Sequence, residues 1–131
     1  MRSRLELELQ AVPERVPSAR SAITRLCEHL EIDEELAGQI RLAVTEACTN
    51  CVLHAYGGEC DIDFTFALEA SVDDDDLLVV VRDAGAGISA ARSARAGLGL
   101  GLRLMRQAAS SVDVTSRPGG GTRVAMRFAI R

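Results

Sequence analysis

Thr45-Glu46-Ala47-Cys48-Thr49-Asn50-Cys51-Val52-Leu53-His54-Ala55-Tyr56 is the stretch from which the fold is read. Glu46, Asn50 and His54 recur at every fourth position of a segment whose pattern is helical. At about 100° per residue, a step of four turns only about 40°, so the three side chains share one inclined ridge. Leu36, Ile40, Ala43, Ala47 and Cys51 form an apolar stripe alongside it. Glu46 and Asn50 therefore sit at the rim of a core, where a helix can roof a polar site. A carboxylate there can act as a base, and an amide oxygen can ligate a hard cation such as Mg2+. The plainer alternative is a helix edge carrying a solvated Glu and Asn.

Two glycine clusters follow. Val79-Val80-Val81-Arg82-Asp83-Ala84-Gly85-Ala86-Gly87 is a β-branched run ending at an Asp, then alternating glycines. An Asp at the end of a buried strand can accept a hydrogen bond from an exocyclic amine such as that of adenine. The glycines let the backbone turn and approach a ligand. Gly97-Leu98-Gly99-Leu100-Gly101-Leu102 then opens a helix, where free N–H groups and the helix dipole favour phosphate. It is not a Walker A loop, since no Gly-Lys-Ser/Thr follows, and no strand leads straight into it as in a dinucleotide fingerprint. Pro118-Gly119-Gly120-Gly121-Thr122 reads in isolation as a hairpin turn.

The order of these pieces carries more than any one of them. Glu46-x-x-x-Asn50, Asp83-x-Gly85-x-Gly87, Gly97-x-Gly99-x-Gly101 and Gly121-Thr122 together resemble the N box and three glycine boxes of the GHKL ATPase superfamily. That group includes gyrase, histidine kinases and MutL. The short chain and the wording around Asn50 are similar to bacterial anti-sigma factor serine kinases of the RsbW/SpoIIAB type. The resemblance covers essentially the whole chain. It implies the Bergerat fold, with ATP and Mg2+ held between helices and sheet. It also implies that Asn50 ligates Mg2+ and that Asp83 recognises the adenine amine, with Thr122 supporting it through water. Gly85 and Gly87 would shape the adenine pocket, and Gly97, Gly99 and Gly101 would offer backbone to the phosphates. Glu46 would be the catalytic base toward a serine hydroxyl. The implied partners are an alternative sigma factor, held inactive, and a STAS-domain anti-anti-sigma protein, which is phosphorylated; the implied assembly is a homodimer.

Three rivals stand beside this. A switch kinase would bind a phosphatase in place of the sigma factor. A detached histidine-kinase catalytic domain lacks support, because there is no helix pair carrying a phosphoacceptor His. A binding module would use nucleotide only as a switch, and the presence of Glu46 argues against it.

Composition agrees with one domain spanning 1–131. The chain has 131 residues, 47% of them hydrophobic, enough for one core and too little for two. Net charge is −4 with no dominant basic patch, so no nucleic-acid partner is expected. Met1 to Glu6 has no apolar signal region and no run approaches a membrane span, so no membrane partner and a cytoplasmic location are expected. Cys27, Cys48, Cys51 and Cys60 read as reduced, buried, small apolar residues, because Cys48-x-x-Cys51 lacks a second pair for zinc. His29 reads as a solvated helix residue, His54 as a site member or a helix-end packing residue. Arg92 and Arg95 lie in a small, polar stretch, residues 88–96, suited to a lid; their charges read as solvated.

Periodicity fills in the rest. Leu5, Leu7 and Leu9 alternate with polar residues, which predicts a half-buried strand broken by Pro13 and Pro17. Helical spacing follows from Ala19, with Ser18 as N-cap. Asp33 with Glu34 and Glu35 opens the second helix, which runs to about Tyr56-Gly58. Strands are expected around Ile62–Glu69, Leu77–Val81, Val112–Thr115 and Arg123–Ile130, with a solvated acidic hairpin loop at Asp73–Asp76. A third helix is expected from Gly101 to about Ser110. The predicted fold class is α+β: a two-layer α/β sandwich (Bergerat fold), a mostly antiparallel, mixed sheet covered on one face by helices.

Overall fold

The computed structural model describes residues 4–55, 64–84, 98–117 and 120–130, with the side chains of 54–55 and 98–102 outside that description. Five strands form one sheet: β1 (Arg4–Gln10), β2 (Thr65–Asp73), β3 (Asp76–Asp83), β4 (Ser111–Ser116) and β5 (Thr122–Ala129). Their spatial order is β1-β2-β3-β5-β4, and each of the four pairings is antiparallel. Three helices, α1 (Val16–His29), α2 (Glu34–Asn50) and α3 (Leu98–Ala108), complete the described elements with two short turns of other helical types.

Period-two alternation sorts the sheet residues into two faces. Phe66, Leu68, Ala70, Leu77, Val79, Val81, Met126 and Phe128 point into the core, where Ile23, Ile40, Val44 and Met105 of the helices meet them. This is the two-layer α+β sandwich expected. On the opposite face lie the small residues Ala67, Val80 and Ala125, also buried. The Arg82 guanidinium donates to Glu69 Oε1 through Nε at 2.8 Å and Nη2 at 2.6 Å. The aliphatic stems of such side chains shelter small neighbours while their heads stay in water.

Several boundaries differ from the expectation, each for a physical reason. α1 begins at Val16, with Pro17 inside its first turn and Ser18 within the helix, so Ser18 is not the N-cap. Pro17 has no N–H to lose where helical donors are unpaired anyway, so it starts the helix instead of only ending the strand. α2 stops being an α-helix at Asn50, and Cys51–Ala55 continue as a wider π turn. α3 starts at Leu98, three residues before the expected Gly101. Glycine is poor in helix interiors, which placed the boundary too late; here packing of α3 on α2, with Met105 wholly buried, outweighs that penalty.

Other local signals hold. Asp33 caps α2, its Oδ1 accepting from the Leu36 amide at 3.0 Å. The acidic run turns the β2–β3 hairpin, with Asp74 left-handed at φ 54°. Arg127 Nη1 spans that hairpin's foot, 3.2 Å from Asp73 and 3.4 Å from Asp76. The expected strand residues Ile62 and Asp63, and the segment 56–58, lie outside the described residues.

Candidate functional site

The ridge on α2 is real as geometry. Glu46 and Asn50 are both half-buried, one turn apart, while Ala43, Ala47 and Cys48 beside them are in the core. The residue after Asn50 turns inward: Cys51 is 4% exposed. Its Sγ donates to Asp83 Oδ2 at 3.5 Å. That contact ties the end of α2 to the end of β3.

Asp83 is 5% exposed, the one buried charged residue among those described. Burying a carboxylate is costly unless donors surround it. From the side opposite Cys51, the main-chain amide of Thr122 donates to Asp83 Oδ1 at 3.3 Å. Thr122 thus meets Asp83 directly, through backbone. The Asp83 carbonyl oxygen accepts from Arg117 Nη1 at 2.8 Å. Arg117 also closes the glycine turn: its amide donates to Gly121 O at 3.0 Å, and its carbonyl accepts from Gly120 at 3.1 Å.

Gly121 explains why this turn is glycine. Its φ is +99°, and a Cβ there would lie 2.1 Å from the Asp83 carbonyl oxygen. A side chain is excluded both by conformation and by space. What reads in isolation as a hairpin turn is a close approach of β5 to the end of β3.

The thiols take their character from burial. Desolvation pushes Cys48 up to about 12. Cys51 is raised well above its ordinary value, by desolvation first and then by the neighbouring Asp83 charge. Both stay protonated at neutral pH, so Cys51 keeps the hydrogen that it donates. Cys27, Cys48 and Cys51 are buried and free, as read from sequence; Cys60 lies outside the described residues.

The structure therefore brings Asp83 and Thr122 together, with Asn50 next in the chain to the Cys51 that meets Asp83 and Glu46 a turn back on α2. Gly99 and Gly101 fall in the first turns of α3, which packs against α2. Gly85, Gly87, Gly97, Arg92, Arg95 and the His54 side chain lie outside the described residues. His29 is exposed. Sequence reading missed Cys51 as a polar partner and did not single out Arg117. Cys51 sits in the apolar stripe, so periodicity classed it as core, and nothing local marks Arg117. Among the described residues no three His, Cys, Asp or Glu side chains gather as a metal cluster, and no helix is long and apolar enough to cross a membrane.

Comparison with known proteins adds an independent finding. Residues 9–128 match the model of the histidine kinase-like ATPase domain. An anti-sigma F factor of Pasteuria penetrans is 33% identical over 135 residues, covering 95% of this chain and 89% of that protein. The serine-protein kinase RsbW of Bacillus pumilus is 33% identical over 81 residues, 62% of this chain and 50% of that one. Among solved structures, the RsbU and RsbW domains of a Mycobacterium tuberculosis protein superpose with a TM-score of 0.75 at 19% identity. That match covers 98% of this chain, which spans 32% of the longer one.

Proposed function

Because this chain belongs to the histidine kinase-like ATPase domain family, we propose that the space bounded by α2, the end of β3 and the start of β5 holds ATP. The observation that carries this is the Asp83 carboxylate, gripped between Cys51 of the α2 end and the Thr122 amide of the glycine turn. A buried acceptor held from two sides is suited to an exocyclic amine, which adenine has and guanine lacks at that position. Asn50, next to Cys51, then lies toward the phosphates. The amide N–H groups of the first turn of α3, around Gly99, face no helical carbonyl and suit phosphate oxygens, and Gly101 follows with no side chain to crowd them.

Mg2+ fits this donor set: it keeps most of its waters and takes few protein ligands beside substrate phosphates. The Asn50 amide oxygen would hold it, and the ion would supply charge neutralisation on the phosphates. The reaction is that of an ATP-dependent protein-serine/threonine kinase. The substrate serine Oγ attacks the γ-phosphorus, an O–P bond forms, and the bond to the ADP oxygen breaks. The serine proton passes to the Glu46 carboxylate. Phosphoryl transfer is mostly positioning and charge neutralisation, so one base and a few fixed donors suffice.

The relatives named as anti-sigma F factors and as a serine-protein kinase support the further reading. The chain sequesters an alternative sigma factor and phosphorylates a STAS-domain antagonist, working as a homodimer in the cytoplasm. The test is transfer of labelled γ-phosphate from ATP to a serine of the antagonist. It is paired with transcription by the sigma factor, inhibited by this protein and relieved by unphosphorylated antagonist. Tight capture of a phosphatase with no sigma factor bound would favour the switch-kinase role, and light scattering decides the dimer.

A further inference from the structure

We propose that Cys51 is the positioning residue for nucleotide selectivity, its thiol hydrogen bond holding the Asp83 carboxylate in the orientation that meets the adenine amine. The proposal deepens the ATP reading above and rests on it. A carboxylate on a short side chain can rotate about its own axis, and two separate donors, one on each oxygen, prevent that. Thr122 N holds Oδ1 at 3.3 Å and Cys51 Sγ holds Oδ2 at 3.5 Å. The first donor is backbone, so it survives any substitution of the Thr122 side chain. The second is the only one of the pair that sequence can alter.

Cys51 has the placement for this work. It is the residue where α2 passes into the π turn, and it is 4% exposed with its Sγ on the Asp83 carboxylate. Cys51 keeps helical dihedrals, φ −59° and ψ −47°, and its amide still donates to Ala47 O, so its side chain carries the apolar stripe of α2 on to the end of β3. Its thiol is a weak donor, strengthened here because the acceptor is charged. Asn50 and Cys51 are consecutive, so one end of α2 addresses the phosphate end of the nucleotide with one residue and the base-reading Asp83 with the next.

The experiment compares ATP with inosine triphosphate, which lacks the exocyclic amine, by calorimetry on wild type, Cys51→Ala and Cys51→Ser. The alanine variant is expected to bind ATP about three- to tenfold more weakly, the range of one buried hydrogen bond, with inosine triphosphate affinity unchanged. The serine variant, which restores a donor, is expected to regain most of the ATP preference. A purely structural role would lower the melting temperature without moving the ratio of the two affinities. If Cys51→Ala keeps the wild-type ratio, the positioning role is overturned. If Cys51→Ala does not fold, Cys51→Val, which fills the space without a donor, takes its place in the comparison with the same expected loss. A wild type that binds both nucleotides equally overturns the adenine assignment itself, a failure distinct from loss of the Cys51 effect alone.

Discussion

Asp83 keeps a carboxylate at 5% exposure because each of its oxygens meets a donor from a different element. Asp83→Asn preserves shape but turns one oxygen into an N–H2 donor aimed at donors. Calorimetry with Mg2+ should show ATP binding weakened by about 1–3 kcal/mol, and wild type should bind GTP far more weakly than ATP. Equal affinities would remove the adenine assignment. Glu46 is asked only to take a proton. Glu46→Gln should therefore bind Mg-ATP and the antagonist like wild type while phosphoryl transfer drops about 10²–10⁴-fold. Transfer at the wild-type rate would make Glu46 a helix-edge residue. Gly121 is held by space: a Cβ would fall 2.1 Å from the Asp83 carbonyl oxygen at a φ of +99°. Gly121→Ala should cost ATP affinity by displacing the end of β3, more than the usual price of a surface substitution.

At the scale of elements, the join between α1 and α2 shows how local chemistry sets a boundary. Ile32 N donates to Cys27 O at 3.0 Å and Glu31 N to Glu28 O at 3.1 Å, the two bonds of a Schellman ending. The left-handed position of that motif is Glu31, at φ 56°, where an L side chain is strained. Glu31→Gly should raise stability by about 0.5–1 kcal/mol, read as a higher urea midpoint with unchanged slope. Two residues on, Asp33 caps α2. A midpoint that falls in Glu31→Gly would mean that the glutamate side chain contributes more than its backbone strain costs.

For the molecule as a whole, the buried thiols predict alkaline sensitivity. Cys27, Cys48 and Cys51 all have folded pKa values raised, chiefly by desolvation, Cys48 to about 12. Unfolded thiols ionise near about 8.5. Between those values the folded chain binds more protons than the unfolded one, so stability falls as pH rises. The contribution is whole below the unfolded pKa and is lost progressively as pH climbs toward about 12. Urea unfolding between pH 7 and 11 should show this decline, and Cys48→Ala should have a shallower slope over that window. Equal slopes would mean that ionisation elsewhere governs the alkaline limit.

Much of this architecture is legible locally. Alternation in β1, the acidic hairpin, the Asp33 cap and the Glu46–Asn50 ridge follow from spacing of two or four residues, which the chain carries wherever it folds. So does Asp83 at the end of β3. Motif order added the family that the comparisons then showed. Local propensity misplaced the starts of α1 and α3, because it cannot weigh Pro17 at a first turn or glycines against packing on α2. Only tertiary structure decided the surroundings of Asp83. Its partners Cys51, Arg117 and Thr122 lie 32, 34 and 39 positions away, and no periodicity relates residues so far apart. They meet because antiparallel pairing of β3 with β5 and burial of α2 on the sheet bring three chain segments to one buried charge, which must find its donors wherever the fold supplies them.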